Sequence, residues 1–246
     1  KMDSNDRWYL LDLPRTKSQI SVRIIKIIGT LCLMMFAFQS WGQHTKYTRI
    51  FDEYYDEKPL HFGFLFGFAS SNYFLQADKA VLGITDSVRS PRNFGFQIGG
   101  IVNYAIDKHW ELKSGLNIAL YEREIQFQSE ANNPLWREST WLEIPILVKL
   151  RSVRRNNHRM YVLGGAKLGI EANVKKKSSA LSANTADLSL EYGFGLEQYF
   201  QFFKFTPEIR FSHGLLNLYV PPSVGGPYSK LNDIRSHTVT LVINFE

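Results

Sequence analysis

Residues 60–68 read LHFGFLFGF, and their alternation decides the class of fold. Successive side chains of a strand point to opposite faces, so one face of this strand carries a leucine and four phenylalanines. The opposite face carries two glycines, one leucine and one histidine. This pattern suits a strand whose large face meets lipid and whose small face looks into a narrow, filled barrel. A half-buried strand of a soluble sandwich is also compatible with it.

The same alternation returns seven more times along the chain. The predicted strands cover residues 60–68, 93–106, 110–121, 141–150, 160–172, 188–197, 203–212 and 238–245. Eight strands, an even number, predict an all-β fold: an eight-stranded antiparallel transmembrane β-barrel of the outer-membrane type over residues 60–246. Pro145 lies inside the fourth strand, where it removes a hydrogen-bond donor, and we expect a bulge there.

The connections between these strands alternate in length. Residues 70–92, 123–139, 173–186 and 214–234 form long polar loops, whereas 107–109, 151–159 and 199–202 are short. Outer-membrane barrels have long loops outside and short turns in the periplasm, so both termini are expected to be periplasmic. Aromatic residues at two levels predict interfacial girdles: Tyr104, Trp110, Tyr199 and Phe200 at the short-turn end, and Trp141 at the long-loop end.

The first 42 residues read as a prefix with a signal peptide. Arg23 and Lys26 form a basic region, residues 27–38 form an apolar run, and small residues precede a predicted cut before Gln43. An uncleaved membrane anchor is the rival interpretation, although the run is short for one. The signal segment and the loop alternation favour a membrane barrel over a secreted sandwich or a lipocalin-like barrel.

Residues 43–59 form a polar lead-in, expected to lie in the periplasm. Four acidic residues stand in it, but their spacing matches no EF-hand calcium loop, so we expect a solvated acidic segment. These residues are Asp52, Glu53, Asp56 and Glu57.

Composition excludes several classes of function. Residues 1–42 contain six of the 29 basic and three of the 23 acidic residues, so the net charge of +6 falls to +3 without them. That charge, without a zinc, RRM or helix-turn-helix pattern, gives no support to a nucleic-acid partner. Cys32 is the only cysteine and lies in the signal segment, so the remainder has no disulfide, cysteine metal site or cysteine nucleophile.

Charged side chains of both signs are predicted to face the barrel interior. A lumen of eight strands is just filled by side chains, so we interpret these charges as a paired network that plugs the barrel, with a proton- or ligand-responsive site as the alternative. The inward candidates are Glu111, Lys113, Glu143, Lys149, Lys167, Glu171, Glu191, Glu197, Glu208 and Arg210.

Candidate sites outside the lumen are weak. His213, Asp233 and Ser236 form the best catalytic trio available, but a histidine that caps a strand at the membrane rim is the favoured interpretation of His213. The basic turn 151–159 could meet a periplasmic partner, although a solvated turn or one that contacts lipid phosphates is favoured. The loop 220–228 could contact a partner. We therefore predict no catalytic, cofactor-binding or metal residues and no small-molecule substrate.

Three stretches carry a resemblance to a known family. Residues 141–149 (WLEIPILVK) and 207–215 (PEIRFSHGL) resemble the outer-membrane β-barrel superfamily of Bacteroidetes at large. Residues 56–64 (DEKPLHFGF) look more particularly like the PorT family. The resemblance covers nearly all of residues 52–246 and provides no catalytic motif.

The PorT resemblance implies a role in the type IX secretion system, which exports proteases, adhesins and gliding-motility proteins. The expected protein is then a non-enzymatic integral outer-membrane barrel that contacts outer-membrane lipid and the secretion machinery. The alternatives are a small outer-membrane enzyme that acts on lipid or peptide, and a structural or adhesive barrel without a secretion role.

Overall fold

The computed structural model describes residues 49–77, 87–127, 135–172, 184–220 and 231–246. These ranges contain nine strands and one short 3-10 turn, Tyr55–Glu57. The strands are β1 (Leu60–Ala77), β2 (Val88–Arg89), β3 (Asn93–Ala105), β4 (Trp110–Phe127), β5 (Leu135–Arg151), β6 (His158–Glu171), β7 (Ala186–Tyr199), β8 (Lys204–Gly214) and β9 (Leu231–Phe245).

Eight of these strands close into an antiparallel barrel. Their order is β4-β3-β1-β9-β8-β7-β6-β5, and pairing of β5 with β4 completes the ring. The two-residue strand β2 is not part of this ring and pairs with the last two residues of β4. Closure leaves no unpaired edge, which is what a sheet surrounded by hydrocarbon requires. The predicted eight-stranded all-β barrel is confirmed.

The two faces of the wall differ as the alternation predicts. On β1, Phe62 is 65% exposed on the outer face, whereas Leu65, three positions further along and on the other parity, is fully buried inside. The other strands repeat this arrangement, with apolar residues outside and mainly polar residues inside. An apolar outer surface of this extent fits a barrel immersed in lipid.

Four strands continue further at the long-loop end than the sequence predicts. β1 reaches Ala77, β4 reaches Phe127, β5 begins at Leu135 and β9 begins at Leu231, so parts of the predicted loops 70–92, 123–139 and 214–234 are strand. The extensions pair with their neighbours and cover a small apolar core. That core contains Tyr73, Ile125, Phe127, Leu218, Leu231 and Ile234.

The expected bulge at Pro145 is wrong. β5 and β6 pair in one continuous register through Pro145 and Lys167. Only the ladder towards β4 is interrupted, between the pairs Ser114–Ile146 and Asn117–Glu143, and the register is the same on both sides of the gap. The Ser114 hydroxyl donates a hydrogen bond to the Pro145 carbonyl (2.9 Å), which gives that acceptor a partner without an inserted residue.

Pro207 interrupts the wall in a similar way. β8 pairs continuously with β9 through Pro207 and Ile243. Towards β7, the ladder stops after Gly195–Glu208 and resumes at Gln198–Phe205. We call this unpaired stretch of β7 and β8 the Pro207 seam.

The prediction of two aromatic girdles is confirmed only in part. Tyr104, Trp110 and Phe200 are exposed at the short-turn end, as predicted. Tyr199 and Trp141 instead point into the lumen and are almost completely buried, so their predicted girdle positions are wrong. Both share the parity of inward glutamates, Glu197 and Glu143, and the alternation therefore overrides aromatic character.

Some predictions fall outside the described residues. These are the signal peptide and prefix (1–42), the first part of the lead-in (43–48), and the loop 220–228 except Val220. Within the described ranges, no helix has the length and apolar character needed to cross a membrane.

Candidate functional site: the sealed lumen

The lumen is filled by charged side chains that pair with one another. All ten predicted inward residues are buried, each no more than 7% exposed. Paired charges lie in three layers, which we call the short-turn layer, the middle layer and the long-loop layer. Pairing of this kind offsets the cost of removing charges from water.

The short-turn layer is centred on Glu197. Lys149 donates to Glu197 (2.5 Å) and to Glu111 (3.1 Å). Lys204 lies 3.4 Å from Glu197 and 2.8 Å from the carboxylate of Glu246, which follows β9. Each carboxylate therefore has at least one buried cation in contact; Glu111 also lies 2.8 Å from Arg151, and Glu197 also lies 3.8 Å from Arg159.

The middle layer is centred on Glu208. Lys113 and Arg210 both donate to this carboxylate, and Arg210 also reaches Glu191 at 3.1 Å. Asn244 donates to Glu208 (2.8 Å) and accepts from Lys113 (3.1 Å). This layer crosses the lumen from β4 to β7 by way of β8 and β9, and so obstructs it at mid-height.

The long-loop layer continues the network upwards. Lys167 lies 2.9 Å from Glu143 and 3.6 Å from Glu191, which joins it to the middle layer. Tyr121 donates to Glu143 at 2.9 Å. The guanidinium of Arg123 lies 4.6 Å from the centre of the Tyr121 ring, a cation–π contact.

Two small apolar groups fill the space between these layers. Leu65, Ile101 and Val242 contact one another, and Leu147, Tyr161 and Leu163 form a second group. All six are at most 5% exposed. Together with the charged layers, these buried side chains occupy the interior of the barrel.

The lead-in closes the short-turn end of the barrel. Tyr55 is 6% exposed and its ring stacks on His61, with the ring centroids 3.8 Å apart. Its hydroxyl donates to Glu246 (2.7 Å) and accepts from Lys204 (2.5 Å). Burial raises the pKa of the Tyr55 hydroxyl, and the adjacent Glu246 carboxylate raises it further, so the phenol remains a neutral donor.

Asp56 fixes the same segment by ion pairs. Its two carboxylate oxygens accept from Arg159 at 3.0 and 2.5 Å, and one of them lies 3.5 Å from Arg151. Burial acts to raise the pKa of Asp56, but the hydrogen bonds and charge of Arg159 and the charge of Arg151 outweigh it and lower the pKa. The ionised form is therefore the one that holds the lead-in.

The turn between β5 and β6 holds the lead-in from outside. Arg154 donates to the carbonyls of Phe51 and Asp52 and lies over the Tyr199 ring, 3.8 Å from its centre. Asn157 accepts from the Phe51 amide at 2.9 Å and donates to the Arg49 carbonyl at 2.9 Å. Main-chain contacts of this kind hold the segment in one register.

Two predictions about this end hold only in part. The four acidic residues of the lead-in are exposed as expected, but Tyr55 is buried and Asp56 is paired with Arg159. The basic turn is also not simply a solvated surface, because Arg151 and Arg159 point into the lumen. Both arginines share the parity of Lys149 and Tyr161, and extending the strands to residues 151 and 158 would have identified them.

The candidate catalytic trio is not assembled. His213 lies on the outer face, where its ring contacts Tyr192 and His237. Ser236 lies on the inner face and donates to Asp187, while Asp233 pairs with Arg235 (2.8 Å). The wall therefore separates the histidine from the serine. Nowhere in the described ranges do three or more His, Cys, Asp or Glu side chains form a group able to hold a metal ion.

The stretches that resemble known families supply much of the sealing network. Residues 141–149 provide Glu143 and Lys149, and residues 207–215 provide Glu208 and Arg210. Residues 56–64 provide Asp56 and the His61 ring on which Tyr55 stacks.

Comparisons with known proteins agree with this architecture. A family model described as the outer membrane protein beta-barrel domain matches residues 41–220. No curated protein matches the chain.

Solved outer-membrane barrels are similar at low sequence identity. OprG from Pseudomonas aeruginosa is 15% identical over 75% of this chain and 93% of its own, with a TM-score of 0.45. Neisserial surface protein A is 10% identical over 76% and 98%, with a TM-score of 0.43. Ail, the attachment invasion locus protein of Yersinia pestis, is 17% identical over 76% and 98%, with a TM-score of 0.33.

Proposed function

Because the chain belongs to the outer membrane protein beta-barrel domain family, we propose that it is a non-enzymatic, PorT-like component of type IX secretion. It acts through protein contacts made by its lead-in, turns and loops, and both termini lie in the periplasm. A barrel in this family has an outer-membrane location, and lipid surrounds its outer face. Fold alone does not assign a role, so the proposal depends on the site and on the resemblance of residues 56–64.

The sealed lumen is the observation that carries this proposal. Three layers of paired charge and the docked Tyr55 block the interior at several heights. A barrel of eight strands has no room for an exported protein in any case. The protein therefore contributes to secretion through its surface, by positioning or stabilising other components of the system.

The exposed side of the lead-in is the first surface to consider for a partner. Tyr54 is 66% exposed, although the next residue, Tyr55, is buried. Docking of Tyr55 and Asp56 presents Tyr54 in a fixed position at the short-turn end. An exposed tyrosine on a preorganised segment is a residue type enriched at protein interfaces.

Deletion of the gene tests the proposal. Loss of many secreted and surface proteins at once, restored by the wild-type gene, is the expected result. A Tyr54→Ser variant should restore the barrel level but restore secretion less well, whereas Gly164→Ala, which alters an outward glycine far from the lead-in, should restore both. A full secretome in the deletion strain would overturn the secretion role and leave a structural or adhesive barrel.

An enzyme acting on lipid or peptide is the second alternative. The separation of His213 and Ser236 by the wall gives it no support among the described residues. Alanine at His213 together with Asp233 should leave secretion and barrel level unchanged. Loss of secretion at a normal barrel level would instead favour the enzyme.

A further inference from the structure

Two histidines lie side by side on the outer wall at the long-loop end. His213 on β8 and His237 on β9 are directly opposite each other, at the last pair of that ladder. Their Nδ1 atoms are 3.0 Å apart, and their ring centroids are 4.6 Å apart. Side chains that face each other across two strands are close enough to act on a common ligand.

The separation of the two Nδ1 atoms matches that of two ligands of one metal ion. A metal such as Zn²⁺ binds an imidazole nitrogen at about 2.0–2.1 Å, so two nitrogens 3.0 Å apart subtend close to a right angle at the ion. Adjacent ligands in tetragonal Cu²⁺ or Ni²⁺ sites have this angle, whereas the tetrahedral sites of Zn²⁺ require a wider one. An N–H···N hydrogen bond between the rings is the alternative, and it requires a proton on one Nδ1 atom.

Tyr192 orients one of the two rings. Its ring stacks on that of His213, and its hydroxyl lies 3.1 Å from the His213 Nε2 atom. A proton on Nε2 that is donated to this hydroxyl leaves Nδ1 unprotonated, as a metal ligand must be. Histidines that bind metals usually donate their other ring N–H to such a partner, which fixes the tautomer and the ring orientation. His213 therefore has the outer contact expected of a metal ligand.

Asn72 adds an oxygen atom to the same row of side chains. It is opposite His237 in the pairing of β1 with β9, and it shares the outward parity of Phe68 and Phe74. Its Oδ1 atom is buried and has no hydrogen-bond partner within the described residues. A buried acceptor without a partner costs free energy. A metal ion beside it, or water bound to that ion, would supply the missing partner.

The row lies at the edge of the apolar band, where ions from water can reach it. Two positions beyond His237 on β9, Arg235 is exposed, and it pairs with Asp233 at 2.8 Å. In the other direction the outer face continues with Val239 and Leu241. The histidines therefore mark the change from an apolar to a charged outer surface.

We propose that His213 and His237 bind one divalent transition-metal ion, Cu²⁺ most tightly, through their Nδ1 atoms. Asn72 and water complete the coordination, and Tyr192 positions the His213 ring. The general order of affinity for nitrogen ligands and the near-right angle both favour Cu²⁺ over Zn²⁺. The ion joins β8 to β9 at the opposite end of the barrel from the lead-in, so the site goes beyond the proposed role in secretion.

Copper titration of the barrel, purified from membranes in detergent without a polyhistidine tag, tests the site. We expect one Cu²⁺ per barrel, removable by a chelator, with an electron paramagnetic resonance spectrum that shows superhyperfine coupling to two nitrogens. Coupling to fewer than two nitrogens in the wild-type protein would overturn the proposal and leave the hydrogen bond between the rings.

Matched histidine variants locate the bound ion. His213→Gln and His237→Gln should each weaken Cu²⁺ binding about a hundredfold, because the second imidazole no longer adds to the first. His109→Gln and His158→Gln, at the short-turn end, should keep the affinity and the two-nitrogen spectrum. Heat-dependent migration in SDS gels shows that each variant is folded, and His237→Gln alone decides if His213→Gln is not. Equal losses at the two ends would contradict a discrete site.

Two further variants test the surroundings of the ion. Tyr192→Phe should weaken binding about tenfold but keep the two-nitrogen spectrum, as expected for a residue that positions a ligand. Arg92, which precedes β3, lies near enough for its positive charge to act on His237. Arg92→Gln should therefore tighten binding by about two- to fivefold, the effect of one partly screened charge. Unchanged affinity in Tyr192→Phe would refute its positioning role, and weaker binding in Arg92→Gln would contradict a cation at this place.

Discussion

At the scale of single residues, we expect removal of the buried Lys149 charge to lower the stability of the barrel. It is fully buried and contacts both Glu111 and Glu197. Lys149→Met leaves these two buried carboxylates with fewer cations, so we expect a loss of about 3–5 kcal/mol in unfolding free energy. Urea unfolding of the folded barrel in detergent or lipid vesicles measures this loss.

The exposed Lys108 provides the matched control for this change. Lys108→Met should alter stability by no more than about 0.5 kcal/mol, as surface substitutions usually do. Combining Lys149→Met with Glu197→Gln should cost less than the two single changes added together, because the second change removes one of the stranded charges. Strict additivity would show that the short-turn layer does not act as a coupled network.

The docking of the lead-in should depend on pH through Asp56. Its pKa is lowered in the folded protein, so the ionised carboxylate stabilises docking above the ordinary aspartate pKa of about 4 and stops doing so as the pH falls through the lower folded value. A nitroxide at Tyr54→Cys should therefore become more mobile under acidic conditions. Electron paramagnetic resonance measures that mobility.

A neutral variant gives the same test at neutral pH. Asp56→Asn should mobilise the label, because it removes the charge that Arg159 and Arg151 hold. Glu57→Gln removes an exposed adjacent charge and should leave the label immobile. A label that is equally ordered in both variants would mean that Tyr55 alone retains the lead-in.

Within the strands, two adjacent glycines have different tasks. A Cβ at Gly165, on the inner face of β6, would fall well inside contact distance of the Ile146 carbonyl oxygen. A Cβ at Gly164, on the outer face, would have its nearest neighbours at 4.0 Å. Gly165→Ala should therefore destabilise the barrel by about 1–3 kcal/mol, whereas Gly164→Ala should be tolerated.

The fraction of heat-resistant barrel in SDS gels at rising temperature measures this difference. Equal transition temperatures for the two alanine variants would show that β6 can move away from β5 at little cost. The comparison is clean because the two positions adjoin in sequence and differ only in the face they occupy.

Alternation was sufficient to predict the eight wall strands and the burial of all ten inward charges. It was also sufficient, if applied strictly, for Trp141 and Tyr199, which we misassigned because aromatic residues are common in girdles. The continuous register at Pro145 could not be foreseen, since it depends on a hydroxyl from a different strand, Ser114. Pairing partners also depend on register, which periodicity alone does not specify.

The lead-in was the least predictable part of the candidate site. Residues 43–59 have no strand periodicity, and Tyr55 stands among polar neighbours. Its partners Lys204 and Glu246 lie far away in sequence, so only the closed barrel brings them together. The composition of such a segment predicts that it is solvated, because composition reflects local polarity and carries no information about the distant residues that the segment contacts in the fold.

At the scale of the whole molecule, we expect that the barrel conducts no ions. The middle layer obstructs the lumen independently of the lead-in, and the apolar core at the long-loop end lies beyond it. Planar-bilayer recordings should therefore show no steady conductance for the intact protein or for Tyr55→Ala. Stable channel openings of the intact protein would refute the sealed lumen and, with it, the argument against a conduit.

The Pro207 seam also sets where water can first reach the backbone. Amide protons in a paired wall exchange with deuterium only when strands separate, whereas the amide of Leu196 faces the gap in the ladder opposite Pro207. Isotope uptake should thus begin on one side of the barrel, between β7 and β8, while residues 64–71 of β1 and 237–245 of β9, which pair on both sides, remain protonated longest. The wall is closed, but we expect local opening to begin at the Pro207 seam.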